Sequence, residues 1–362
     1  MEKRYLILTI NPGSTSTKIA VFRNLKSVFL KNLTHSVEEL EKYNRISDQF
    51  QYRKDMILSE LKESEINISE ISAVVGRGGL IRPVKSGVYE VNDAMRKDLK
   101  EGRLGEHASN LGGLIAHDIA ESLPNASAFI ADPVVVDEMQ DVARIAGHPK
   151  FERTSIFHAL NQKAIARAHG KSIDRDYEDL NLIIAHLGGG ISVGAHKKGR
   201  VIDVNNALDG DGPFSPERSG SLPVGQLARL CFSGDYTYEE VDKMIKGKGG
   251  LVAYLNTNDA YEVELMVHEG NEKAKLIQDA LCYQVAKEIG AMSTVLEGEV
   301  DAIILTGGII HNPMVVDYIR SMVRFIAPVA IYPGEDEMQA LAENGLRVLK
   351  GEAEVLEYSK DL

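Results

Sequence analysis

The stretch LNLIIAHLGGGISVGAHKKGRVIDV, residues 180–204, contains an apolar run, a turn of glycines, a second apolar run and a further short hairpin. Short runs of apolar and β-branched residues bounded by glycine read as strands, so this stretch is a meander whose first corner is built from glycine. The chain opens with the same grammar: YLILTI and KIAVF, within residues 5–22, are joined by the turn NPGSTST. A chain of 362 residues that starts twice in this way predicts two α/β domains.

Between the two openings, polar helix-like sequence runs to about Leu61. The strand ISAVV, the glycine cluster Gly76-Arg77-Gly78-Gly79 and the strand GVYEV follow. Asn92 is an N-cap candidate for helical patterns reaching towards Leu123, and the strand ASAFIADP closes the half at Pro133. Thr154 or Ser155 is expected to cap a helix over 156–169 that Gly170 stops. In 275–296, Leu276, Ile277, Ala280, Leu281, Val285, Ile289 and Met292 recur at helical spacing. The last third alternates strand 302–306, helix 313–326, strand 329–332 and helix 336–350, a βαβα succession that gives parallel strands with right-handed crossovers. The expected domains are therefore residues 1–150 and 151–342, with a C-terminal segment, about 343–362, that can cross back to the first.

A net charge of −12 argues against a broad nucleic-acid surface, which needs a clustered Lys/Arg excess. Lys3 and Arg4 precede an apolar run too short for a signal peptide, and no stretch approaches the roughly 20 apolar residues that span a bilayer. Cys231 and Cys282 form no CxxC pair or disulfide framework, which suits a reducing cytoplasm; both are expected to be buried thiols.

Three turns directly follow apolar strands and carry glycine or small hydroxyl residues: NPGSTSTK (11–18), LGGGIS (187–192) and TGGI (306–309). Such turns let backbone N–H groups approach a phosphate without obstruction. Any one alone reads more readily as a tight turn, but three of them, two heading repeated domains, point to a nucleotide site. GxxxxGK[ST] and GxGxxG are both absent, which lowers the P-loop and Rossmann readings.

The duplicated organisation resembles the superfamily of acetate and sugar kinases, heat-shock-chaperone ATPases and actin. NPGSTSTK, HLGGGIS, the Phe157-His158 pair and PERSG, in this order across the chain, resemble the acetokinase family of carboxylate kinases, on the side of its butyrate-directed members. The resemblance implies two ribonuclease-H-like domains with the active site in the cleft between them. It also implies ATP/ADP and Mg²⁺ as cofactors, a short-chain carboxylate or acyl phosphate as substrate, a homo-oligomer and a cytoplasmic location. An ATP-driven conformational switch and a sugar or polyol kinase are the alternatives within the same fold.

A carboxylate acceptor is already ionised near neutral pH, since such groups titrate near ~4.3, so no general base is required. The task is to bring anions together and stabilise charge on the transferring phosphoryl group, which calls for guanidinium, imidazolium and Mg²⁺. By resemblance, Arg218 in SPERSG grips the carboxylate or phosphoryl oxygens, and His158 steadies the phosphoryl group in flight. Arg77 is the second arginine, in GRGG where the family has HRxxHGG, and Asp132 positions metal-bound water or an arginine. Asn11, Ser14, Ser16 and Lys18 belong to the first phosphate turn; His186, Gly188, Gly189 and Gly190 to the second. His107 and His186 are expected to order loops.

Gly307, Gly308, Ile309 and Asn312 are assigned to the adenosine end. Asp259 joins them in NTNDAYE, where Tyr261 stands in place of the family's arginine. Glu337, in the acidic turn Glu335-Asp336-Glu337, is the metal candidate, with Asp336 the alternative; an acidic helix start also serves the helix dipole.

Overall fold

The computed structural model describes residues 3–102 and 104–359, so the last three residues of the expected C-terminal segment lie outside the described residues. Two compact units divide the chain: one holds residues up to Val136 together with those from Asp336 on, the other holds Asp137–Glu335.

The strands are β1 (Leu6–Pro12), β2 (Ser16–Arg23), β3 (Lys26–Thr34), β4 (Ile71–Arg77), β5 (Val88–Glu90), β6 (Ser127–Ala131), β7 (Asn181–Leu187), β8 (Ile191–Lys197), β9 (Arg200–Val204), β10 (Ala302–Gly307), β11 (Val329–Pro333) and β12 (Val355–Leu356). The first unit's sheet has the order β12-β5-β6-β4-β1-β2-β3 and the second unit's has β11-β10-β7-β8-β9. Each unit begins with three antiparallel strands and then lays two strands parallel to its first, β4 and β6 in one and β10 and β11 in the other; beyond β6, β5 runs antiparallel and β12 pairs parallel to β5. The order third-second-first-fourth-next is thus repeated, which is the duplicated ribonuclease-H-like arrangement.

β3 replaces the start of the expected helical region. It is an edge strand in which only Leu33 is buried, so it lacks the alternation that would betray a strand. Helix begins in earnest at Phe50–Glu63, where Arg53, Ile57 and Leu61 face inward. In the second unit, Glu272–Val295 buries Ile277, Leu281, Val285, Ile289 and Met292, while Leu276 is 66% exposed and turns away from the core.

The second unit starts before residue 150 because residues 137–150 are tied into it. Arg144 makes paired contacts to Asp137 at 2.6 and 2.7 Å, Gln140 N–H donates to Ile202 O at 3.0 Å, and Lys163 donates to Glu138 at 2.6 Å. The helix expected over 156–169 runs Ala159–Ser172 with His158 at its N-cap. Gly170 does not stop it: a Cβ there would lie 2.6 Å from Arg175 O, so glycine serves the close return of the chain.

The helix Glu337–Leu349 lies on the first unit's sheet. Leu341 and Ala342 are fully buried, Met338 and Ala342 meet Ala20 and Phe22, and Gly345 faces Val75 and Ile7. Burying Leu341 alone contributes about 1.5–3 kcal/mol. Cys282 is buried, as expected, but Cys231 is exposed at the end of the amphipathic helix Val224–Cys231. No helix among the described residues is long and apolar enough to cross a membrane.

Candidate active site

The candidate residues fall into two groups, one in each unit. In the first unit the parallel register places Ile10 beside Gly76, and Arg77 beside Ala131. Asn11, Arg77 and Asp132 therefore stand at the carboxyl ends of neighbouring parallel strands, the edge at which open α/β sheets bind ligands. Glu337, the first residue of its helix, meets two of them. Arg77 Nη1 and Nη2 reach Glu337 Oε2 and Oε1, each at 3.1 Å, and Asn11 Nδ2 donates to Oε2. Arg77 Nη1 also lies 3.4 Å from Asn11 Oδ1. Asp336 is spent differently, as the N-cap accepting from Gln339 N–H at 2.9 Å.

The glycine at 76 is dictated by packing. A Cβ there would come within 2.2 Å of Gly112 O, so the helix Asn110–Glu121 crosses at backbone contact and sets the level of Arg77. Asp132 is buried in a left-handed conformation (φ 37°), its Oδ1 accepting from Ser86 Oγ at 2.6 Å and Gly87 N–H at 2.9 Å. His107 Nδ1 accepts from Ser109 N–H at 3.2 Å, at the entry to the Asn110–Glu121 helix.

Sequence reasoning missed Arg53. Its guanidinium, 1% exposed, lies beneath the first phosphate turn and donates to Gly13 O, Ser14 O and Ser16 O at 2.8, 3.0 and 3.1 Å, and to Thr17 Oγ1 at 3.0 Å. Holding those carbonyls constrains the turn that carries Ser14 and Ser16. Thr17 Oγ1 also meets His35 Nε2 at 2.8 Å, and burial, with the Arg53 charge added, lowers the His35 pKa to about 4. Lys18 is exposed on β2, across the hairpin from Asn11. Arg53 gave no signal because it sits in a polar helical stretch like any solvent-facing arginine.

In the second unit, β7 and β8 are joined by Gly188–Gly190, and three side chains converge on that turn. A Cβ on Gly190 would lie 2.0 Å from Arg218 Nη1 and 3.3 Å from His158 Cε1, and Ser215 Oγ donates to Gly189 O at 2.8 Å. Arg218 Nη1 also donates to Ala207 O, which pins the guanidinium. His158 stacks on His186, ring centroids 3.9 Å apart and 18° from parallel. His158 Nδ1 meets Ser192 Oγ at 2.8 Å, while His186 Nδ1 donates to Asn161 Oδ1 at 2.8 Å and its Nε2 lies 3.2 Å from Glu335 Oε2. Asn161 was not singled out in the sequence, where an isolated polar residue carries no such signal, and Ser192 and Glu335 stood inside the LGGGIS turn and the acidic turn without these contacts being legible.

The adenosine candidates separate. Gly307 (φ 101°) and Gly308 form the turn after β10, and Gly308 has open space where a side chain would be. Ile309 is turned into the core. Asn312 is 5% exposed, caps the helix Pro313–Val323 through Met314 N–H at 2.9 Å and donates to Gln278 at 3.1 Å. Asp259 caps the helix Ala260–His268 through Tyr261 N–H at 2.9 Å.

Residues 150–343 match the model of the acetokinase family. Butyrate kinase 2 of Clostridium acetobutylicum is 60% identical over 355 residues, which cover 98% of this chain and 99% of that protein. The chain belongs to the acetokinase family. A second relative from the same organism, butyrate kinase 1, is also 60% identical, over 354 residues covering 98% and 99%. Among solved structures, acetate kinase from Porphyromonas gingivalis aligns with a TM-score of 0.77 at 20% identity, covering 95% of this chain and 100% of that one. A propionate kinase from Francisella tularensis aligns with a TM-score of 0.75 at 19% identity, covering 94% and 98%. These neighbours share the duplicated fold. Kinases of the acetokinase family are ATP-dependent, and this chain is an enzyme of that class.

Proposed function

We propose that the enzyme transfers the γ-phosphoryl group of ATP to a short-chain fatty acid, butyrate or a branched relative, giving the acyl phosphate and ADP, and that it runs reversibly. The observation that carries this reading is 60% identity, over nearly the full chain, to two butyrate kinases. In the reaction a carboxylate oxygen forms a bond to the γ-phosphorus as the bond to the ADP oxygen breaks. The acceptor is already an anion, so no proton has to be removed from it.

The residues suit this demand. Arg218, pinned against Gly190, supplies guanidinium N–H donors for the carboxylate or the moving phosphoryl group, and His158 beside it supplies a further donor. In the second unit Gly188, Gly189 and Gly190 offer backbone N–H groups suited to phosphate, and in the first unit the Ser14–Ser16 turn, held by Arg53, is suited to the same chemistry. His186 supports the ring of His158, and Asp132 holds the β6 exit beside Arg77. Gly307 and Gly308 fit the adenosine end better than Ile309 or Asn312, whose side chains are engaged internally.

For Mg²⁺ the donor set fits. Glu337 is a hard oxygen donor fixed by Arg77 and Asn11, and the described residues hold no cluster of three His, Cys, Asp or Glu that would cage a metal. Mg²⁺ usually keeps several waters and is held by one or two carboxylates together with substrate phosphates, so a single fixed carboxylate suits it. Bound there, Mg²⁺ would neutralise charge on the phosphates. Operation in the cytoplasm as a homo-oligomer belongs to the same reading.

Running the reaction backwards tests it: butyryl phosphate with ADP and Mg²⁺ should yield ATP. ADP release from ATP that depends on a polyol instead would move the enzyme to the sugar-kinase class.

A further inference from the structure

Behind His158 runs a line of buried polar groups. Tyr177 Oη meets His196 Nδ1 at 2.7 Å, His196 Nε2 meets Gln162 Oε1 at 2.9 Å, and Gln162 Nε2 donates to Ser192 O at 3.1 Å and Ser192 Oγ at 2.9 Å. Ser192 Oγ then meets His158 Nδ1 at 2.8 Å. Tyr177 is 4% exposed and His196, Gln162 and Ser192 are fully buried. The fold makes room for the line at Gly194 in β8, where a Cβ would stand 2.8 Å from Gln162 Oε1 and 3.3 Å from His196 Nε2. A glycine inside a strand commonly marks such a close approach.

The direction of every link is determined. The backbone carbonyl of Ser192 can only accept, so the Gln162 NH₂ group faces Ser192 and its oxygen faces His196. Burial, with the Lys163 charge added, holds the His196 imidazole well below its usual range and the ring stays neutral. Its single N–H is therefore on Nε2, facing the Gln162 oxygen, and Nδ1 accepts from the Tyr177 hydroxyl. The Ser192 hydroxyl accepts from Gln162 Nε2 and, at 3.4 Å, from the His158 backbone N–H, which takes up its two lone pairs, and it directs its one hydrogen to His158 Nδ1.

We propose that the line Tyr177–His196–Gln162–Ser192 is a positioning device that fixes the neutral form of the His158 ring as its Nε2–H tautomer, so that this form offers phosphoryl oxygens an N–H donor rather than a lone pair. This rests on the carboxylate-kinase reading for its consequence in catalysis, but the tautomer itself is independent of substrate. His158 is the group that acts; Gln162 and Ser192 act through it. The Cε1 edge that joins the two ring nitrogens lies against Gly190, 3.3 Å from where its Cβ would stand.

Nitrogen-15 NMR of histidine-labelled full-length protein near pH 7.5 reads the tautomer directly, with His158 identified by the resonances lost in His158→Asn. The wild type should show His158 protonated on Nε2. Gln162→Glu, in its ionised form, presents acceptors only; the Ser192 hydroxyl then turns towards it and His158 Nδ1 must donate. The ring should become protonated on Nδ1, and kcat should fall on the order of 10²-fold, with KM for ATP changed by less than about threefold, the loss of one oriented donor. Ser192→Ala, which removes the donor without adding charge, should give mixed tautomers if Gln162→Glu fails to fold. Nδ1 protonation in the wild type, or an unchanged tautomer in both folded variants, overturns the proposal. A wild type that shows the expected tautomer but makes no acyl phosphate would instead refute the reaction assigned above.

Discussion

Arg77 and Glu337, 260 positions apart in the chain, face each other through two contacts of 3.1 Å, guanidinium fork to carboxylate. The pairing joins the end of β4 to the start of a helix contributed by the chain's last segment. It also distinguishes the two acids of the same turn: Glu337 is fixed among Asn11 and Arg77, whereas Asp336 is used as a cap. Glu337→Gln should therefore raise the Mg²⁺ concentration needed for half-maximal rate and lower kcat on the order of 10²-fold. Asp336→Ala should leave metal dependence as it is and cost about 0.5–2 kcal/mol of stability, the usual value of an N-cap. Magnesium titrations of both variants, with denaturant melts, check this.

Gly190 is where any side chain would collide with Arg218. Gly190→Ala places a methyl group 2.0 Å from the present position of Nη1, and because a guanidinium can swing aside, the fold should tolerate it. Activity should not: kcat should drop on the order of 10²-fold as the donor leaves its place, with little change in melting temperature. Normal turnover in Gly190→Ala would show that the Arg218 position seen here is immaterial to the reaction.

Arg53 is a buried charge satisfied by three carbonyls, Thr17 and the Gln49 side-chain oxygen. Arg53→Met fills similar space yet takes the side-chain donor from Gly13 O and Ser14 O, at about 1–3 kcal/mol for each that stays buried and unpaired, while Ser16 O keeps the Gly13 N–H. We expect a clear loss of stability by urea denaturation and weaker ATP binding, because the turn above it loses its support.

His35 makes stability fall with acidity. Its pKa is about 4 in the folded protein and about 6.5 when unfolded, so between those values the unfolded chain takes up a proton that the folded one refuses. The contribution of the neutral ring is complete above about pH 6.5 and is lost progressively as the pH falls towards 4. His35→Gln should flatten that part of the stability profile measured by denaturant melts from pH 7.5 to 4.5.

The two cysteines should differ sharply in reactivity. Cys231 is exposed, while burial, with a smaller contribution from Asp279, pushes the Cys282 thiol up to about 12. Under native conditions a thiol reagent should modify Cys231 alone, with Cys282 reacting only after unfolding; mass spectrometry of the labelled peptides reads this.

Much of the fold was legible because strong periodicities carry it. The runs that became β1, β2, β7, β8 and β10 are apolar on both faces, and the glycine turns that end them mark the corners. β3 was not legible, since an edge strand with one buried residue has no period to read. The same division holds at the site. Arg218, His158 and Glu337 stand inside short recognisable strings, and the structure finds each in a cluster of polar groups. Arg53 and Gln162 are scattered single residues whose importance comes from what the fold brings to them, and Ser192, at the end of the LGGGIS turn, shows its contact to His158 only in the fold. Ile309 and Asn312 show the reverse case: a turn was rightly located, yet two of its side chains serve the core and the helix cap.

The central claim is most directly tested by trapping acyl phosphates as hydroxamates from ATP, Mg²⁺ and a series of linear carboxylates, with a polyol control followed by ADP release. Each added methylene is worth only about 0.8 kcal/mol, so overlapping activity on neighbouring acids is expected around a maximum near four carbons. Hydroxamate formed from butyrate at or near that maximum is the predicted result. No hydroxamate from any acid, with folded protein that binds ATP, would contradict the account.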